Sequence, residues 1–179
     1  MKKGGGKRKG SSFERVIAKD LSLWITGGGN NGIFWRTHSS GAMGTVGKRR
    51  FEYGDIMAID DLGKPLTDNY NIECRHGKVL NIKDLIYHPK SSSILQLILE
   101  GRKNADSSNR RPLWIFKEQG KDVMVMMNYD RNEPFKSLWN GIDFVLAIDL
   151  LHDVFLMTYE NWKEEFILVG KQKTITEGI

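Results

Sequence analysis

The strongest constraint in this sequence is a change in hydrophobic period along the chain. Residues 11–25, SSFERVIAKDLSLWI, carry Phe13, Val16, Ile17, Leu21 and Trp24 at the spacing that gathers apolar groups on one side of a helix, and Ser11 or Ser12 is available as its N-cap. The helix runs into TGGGNNG, a loop, and then into a short extended segment at 33–36. After Tyr53 the pattern becomes strand-like. GDIMAID (54–60) and NIECRH (71–76) are short apolar or β-branched segments separated by DDLGKPLTDN, where Gly63 and Pro65 are turn formers, so the two read as an antiparallel pair. Helical spacing returns over 92–105 through Ile94, Leu95, Leu97 and Ile98, with Gly101 weakening the end. LWIFK and KDVMVMM flank a turn at Gly120 as a hairpin, FVLAI and DVFLMTY are further strands, and NWKEEF is a short helix. With no repeat and no domain-sized linker, this order predicts one domain over residues 11–170, α/β or α+β with a central mixed sheet.

Composition bounds the function. A chain of 179 residues, 40% hydrophobic, supports one compact core. No apolar run approaches the roughly 18 residues that cross a bilayer, and the first residues lack the apolar segment of a secretory signal, so a cytoplasmic protein with no membrane partner is expected. Cys74 is the single cysteine and the four histidines are scattered, which leaves no zinc-type spacing. The net charge of +5 is that of Lys2, Lys3, Lys7, Arg8 and Lys9; without them 22 basic residues face 22 acidic ones. Residues 1–10 therefore read as a disordered basic tail, either solubilising or in contact with phosphates without reading sequence, and 171–179 as a flexible tail.

Several motifs fail on context. Gly27, Gly29 and Gly32 match the spacing of a dinucleotide loop, but that loop must follow a strand, and here it follows a helix. The stretch from Gly41 to Lys48 has one residue too many for a phosphate loop, and Arg49 stands where Ser or Thr would hold magnesium. Cys74 with His76, and Ser40 with His38, lack an elbow and a third member.

One constellation survives. In a strand, Ile72 and Cys74 turn inward while Glu73 and Arg75 emerge together on the other face. Asp55, directly after Gly54, opens the neighbouring segment, and strand pairing brings its carboxylate near that of Glu73. Two close carboxylates repel unless a cation lies between them, and magnesium, which favours oxygen ligands and retains waters, is the natural one. A solvated hairpin face satisfies the same spacing.

The ordered flanking features resemble the PD-(D/E)xK nuclease superfamily, and within it the small phage-type nucleases described as Holliday-junction-resolvase-like. The resemblance covers Gly10 to Met127: GSSFER, WRTHSSGAMGTVGK, YGDIMAID, NIECRHGK, ILQLILEGRKNA and RPLWIFKEQGKDVMVMM, in that order. It implies a restriction-endonuclease-like core and a magnesium-dependent DNA endonuclease in which manganese substitutes. By the same resemblance Asp55 and Glu73 are metal ligands, with Gly54 in place of the motif's proline, and the Cys74 carbonyl completes the protein's share. Glu14 matches the helix-one glutamate, although Ser11-x-x-Glu14 is also a capping box. Gln96 matches a supporting glutamine on the next helix.

Arg75 departs from the motif, which has lysine there. A guanidinium cannot serve as a base, but it can orient water and stabilise transition-state charge. Lys78, an odd number of residues from Glu73, falls on the wrong face unless Gly77 bends the strand, so Arg75 is preferred. Lys48, Arg49 and Arg50, with Arg36 and Ser40 before them, are candidate phosphate contacts, or an exposed basic turn. His38, His76 and His88 read as loop or surface residues, and Trp114, Phe116, Trp139 and Trp162 as core. The expected partner is DNA, double-stranded or branched, and a junction substrate carries with it a homodimer. The alternatives are a catalytically inactive member that binds nucleic acid and an unrelated interaction protein.

Overall fold

The computed structural model describes residues 5–37, 54–77, 92–128 and 154–164. Helix α1 spans Gly5–Ile25 and leads through a glycine turn to strand β1, Phe34–Arg36, which pairs antiparallel with β2, Ile56–Ala58. A 3-10 turn at Asp61–Gly63 and helix α2, Lys64–Asn69, follow. Strand β3, Tyr70–Gly77, then crosses through helix α3, Ser93–Ser108, to β4, Arg111–Glu118. Strands β5, Val123–Asn128, and β6, Val154–Thr158, complete a sheet of order β3-β4-β5-β6. Its first pair is parallel and the other two are antiparallel, so the sheet is mixed, as expected. Residues 159–164 are helical.

Strand alternation divides the core into two layers. Ile72, Cys74, Leu113, Ile115 and Val125 face α1, meeting Phe13, Ile17 and Leu21; Trp114, Phe116 and Met126 face α3, meeting Ile94, Leu97 and Ile98. The inward assignment of Ile72 and Cys74 and the core assignment of Trp114, Phe116 and Trp162 agree with this layering. Trp139, FVLAI, His38 and His88 lie outside the described residues.

Three expectations need correction. The segments containing Asp55 and Glu73 are not a hairpin: β2 pairs with β1, β3 pairs with β4, and the connector coils. Asp60 Oδ1 accepts the Leu62 N–H at 2.9 Å, and Pro65 occupies the first turn of α2, where its missing N–H costs no hydrogen bond. Second, α1 begins at Gly5, so it takes in residues expected as tail, and Ser11 lies inside the helix rather than at its cap. Extending a helix already anchored by its apolar face requires far less than starting one.

Third, α3 does not end at residue 105, and Gly101 does not weaken that end. The helix continues to Ser108 and stops at Asn109, whose left-handed backbone (φ 55°) makes the C-cap. Gly101 is needed for packing instead. A Cβ there would lie 2.1 Å from Trp114 Nε1, the nitrogen that donates to the Leu97 carbonyl at 3.0 Å. Among the described residues no helix is long and apolar enough to cross a membrane.

Candidate active site

Asp55 sits where three strands meet. Its carbonyl accepts the Thr37 N–H at 3.0 Å, continuing the β1–β2 pairing, and its own N–H donates to the Ile72 carbonyl on β3 at 2.7 Å. Thr37 Oγ1 donates to the Gly54 carbonyl at 2.7 Å. Gly54 has φ 85°, and a Cβ on it would stand 2.8 Å from the Ile72 carbonyl oxygen, so only glycine fits this approach. The Asp55 side chain is thereby carried to the edge of β3, where Oδ2 accepts the Cys74 N–H at 2.8 Å. In an extended strand the N–H and C=O of one residue point to the same edge. The Cys74 carbonyl thus faces the Asp55 side, while the Cys74 side chain is buried in the α1 layer.

Glu73 occupies the α3 face of β3 and is 8% exposed. Its Oε1 accepts from Asn71 Nδ2 at 3.1 Å and from Asn104 Nδ2 at 2.8 Å. Glu14 approaches from α1, also buried, with Arg36 Nε 3.0 Å from its Oε2. That contact is a charge pairing without a well-aimed hydrogen bond, since neither atom finds a directed partner. Burial pushes the Asp55 carboxyl up to about 7, with the negative charges of Glu73 and then Glu14 adding to the rise against the Cys74 N–H and Arg75. Burial raises the Cys74 thiol as well, assisted by Asp55, which makes it inert.

Arg75 emerges on the same face as Glu73, half-exposed, and its Nη2 lies 3.1 Å from Glu100 Oε2. Arg36 ends β1, within the extended segment expected at 33–36, and is committed to Glu14 rather than standing as a phosphate contact. His76 is partly buried, its ring 5.5 Å from that of Phe13. Gln96 is exposed, and no hydrogen bond links it to Glu73; Asn104 makes that contact. Geometry accounts for the difference. Asn104 meets Glu73 and Glu100 meets Arg75, so α3 runs antiparallel to β3. One helical turn rises about 5.4 Å and two strand residues about 6.6 Å, so a further turn carries Gln96 level with Gly77, past the acids. Asn71 and Asn104 were not singled out in the sequence; the one available signal was Asn71 two positions before Glu73, on the same strand face. Ser40, Lys48, Arg49, Arg50 and Lys78 lie outside the described residues.

Among the described residues no group of three or more His, Cys, Asp and Glu side chains is placed to hold one ion. The donor set to be weighed is therefore two carboxylates and a backbone carbonyl. Asp55 and Glu73 each keep one oxygen free of hydrogen bonds among the described residues. Hard oxygens in that number, with water supplying the rest, suit magnesium or manganese, which bind through one or two carboxylates beside a phosphate.

A mixed sheet covered by helices on both faces, with acids gathered at its edge, is compatible with a restriction-endonuclease-like core. The family model that matches the chain is described as phage putative PDDEXK endonuclease, and the match covers residues 5–167. The chain belongs to this family, a family of nucleases whose substrate is DNA. No curated protein and no solved structure matches it.

Proposed function

We propose that this protein is a magnesium-dependent DNA endonuclease that hydrolyses phosphodiester bonds at the Asp55–Glu73 site, with manganese able to substitute. The observation that carries the reading is the Asp55 carboxylate, buried and oriented by the Cys74 N–H at 2.8 Å with the charge of Glu73 beside it. Such a burial of like charges is unfavourable alone and favourable around a cation. Asp55, Glu73 and the Cys74 carbonyl would hold the ion; when bound, it polarises the scissile phosphate and lowers the pKa of water.

The chain's own groups supply the remainder. Arg75 stays protonated and reaches solvent, which suits it to stabilise charge growing on the phosphate rather than to accept a proton. Glu14 adds negative potential behind Asp55, and Arg36 balances it. Lys48, Arg49, Arg50, Ser40 and Lys78 are assigned to the DNA backbone, and Gln96 to the rim of the site. Double-stranded or branched DNA, including four-way junctions, is the proposed substrate form, acted on by a homodimer in the cytoplasm.

A second reading, an inactive member that binds DNA, is favoured by one observation: arginine in the motif's lysine position, tied to Glu100 at 3.1 Å. Incubating the purified protein with linear duplex, single-stranded and four-way-junction DNA, with magnesium or manganese, decides between them. Cleavage that disappears in both Asp55→Ala and Glu73→Ala is the expected result. Retention of DNA without cutting by the parent protein would establish the second reading.

A further inference from the structure

We propose that Asn71 and Asn104 are positioning residues that fix the Glu73 carboxylate, and that glycine at position 54, required by its approach to the Ile72 backbone, also leaves room for the Asn71 side chain. The inference rests on the nuclease reading above and concerns how the second acid is held. Two amides from different elements, β3 and α3, converge on the same oxygen, Glu73 Oε1, at 3.1 and 2.8 Å. Loading both donors onto Oε1 leaves Oε2 with no hydrogen bond among the described residues. That oxygen is the one presented to an ion.

Asn71 is fully buried, yet its Oδ1 has no hydrogen-bond partner among the described residues. Leaving a buried acceptor without a partner is costly, so Asn71 is a poor choice for stability. Turning the amide over would face Oδ1 toward Glu73 Oε1, acceptor against acceptor, and would be worse. The orientation of Asn71 is therefore dictated by Glu73, and the orphan is its consequence. Gly54 closes the argument. A Cβ at position 54 would lie 3.0 Å from Asn71 Oδ1 and 2.8 Å from the Ile72 carbonyl oxygen, and φ 85° is far from the angle a proline ring imposes. The glycine in the motif's proline position and the buried asparagine two residues before Glu73 thus form one device. It sets the first acid, Asp55, and the second, Glu73, relative to each other.

The test uses Asn71→Leu, Asn104→Leu and Asn104→Asp in the full chain, with three readouts: melting of the metal-free protein, calorimetric titration with manganese alone, and steady-state DNA cleavage. Asn71→Leu is expected to melt no lower than the parent while manganese binding weakens about 10- to 100-fold and kcat falls with KM for DNA unchanged. Asn104→Leu should weaken manganese binding similarly. Asn104→Asp, of the same shape, replaces the donor with a second carboxylate against Glu73, so the metal-free variant should melt lower than Asn104→Leu, which a merely space-filling role would not produce. Should Asn71→Leu fail to fold, the Asn104 pair, on a partly exposed helix face, carries the test. A parent that binds manganese while the leucine variants bind it within twofold overturns the clamp and leaves the nuclease reading intact. A parent that takes up no manganese overturns both.

Discussion

Asp55→Asn is expected to make the metal-free protein more stable at pH 8 while destroying its function. The Asp55 carboxyl is buried and is pushed from 3.8 to about 7, first by burial and then by the charges of Glu73 and Glu14. Below the unfolded value both states hold the proton, and the fold has the full benefit of a neutral side chain. As pH rises from about 4 to about 7, the unfolded chain releases the proton and the folded chain keeps it, so stability declines; above about 7 the loss is complete. Roughly three pH units at about 1.4 kcal/mol each amount to on the order of 4 kcal/mol. Asparagine keeps an oxygen for the Cys74 N–H at 2.8 Å and has no charge to bury. Urea denaturation in a chelator from pH 5 to pH 8 should therefore show the difference between variant and parent moving in the variant's favour by about 2–3 kcal/mol, the part of the loss that falls between pH 5 and about 7. Manganese should reverse the ranking by stabilising the parent and not the variant. A variant that is less stable by the same margin at both ends of the range would refute the reasoning, because the carboxyl would then carry no ionisation cost.

Gly101→Ala should destabilise the fold by at least about 2 kcal/mol, read as a drop in melting temperature, because its Cβ would stand 2.1 Å from an indole nitrogen held by the Leu97 carbonyl. Adding Trp114→Leu to that variant should return part of the loss. Ser22→Ala should cost about 2–4 kcal/mol in urea denaturation, since Ser22 Oγ accepts the N–H groups of Ile33 and Phe34 at 3.1 and 2.9 Å, and its removal leaves two buried donors unpaired. Gly54→Ala should lower the cleavage rate by tenfold or more at a temperature where the variant is still folded, because any displacement of Gly54 moves Asp55.

How much of this was legible in the sequence follows from which interactions are local. The helical periods of α1 and α3 and the alternation through Ile72, Glu73, Cys74 and Arg75 are set by neighbours within a few residues, and they reappear in the two core layers, except that Val16, expected on the apolar side of α1, is exposed. The proximity of Asp55 and Glu73 was anticipated through the wrong construction. The expected hairpin is absent, and Asp55 reaches β3 through a single backbone hydrogen bond, 2.7 Å from its N–H to the Ile72 carbonyl. Helix α2 escaped because six residues with only Leu66 and Thr67 buried cannot display a period.

Gln96, expected at the site where Asn104 stands, exposes the limit more sharply. The two lie eight residues apart on α3, with Glu100 midway, and a helical stripe offers all three to one side. Sequence spacing says that one of them will meet the acidic strand, but the axial offset between helix and strand decides which. That offset is fixed by the indole of Trp114 lodging against Gly101 and bonding to Leu97. A tryptophan on β4 and a glycine inside a helix thus determine which amide reaches Glu73. The chemistry at the sheet edge depends on a core contact on the far side of the helix's polar stripe, and a substitution that shifts α3 by one turn would bring Glu100, an acid, to Glu73 in place of an amide.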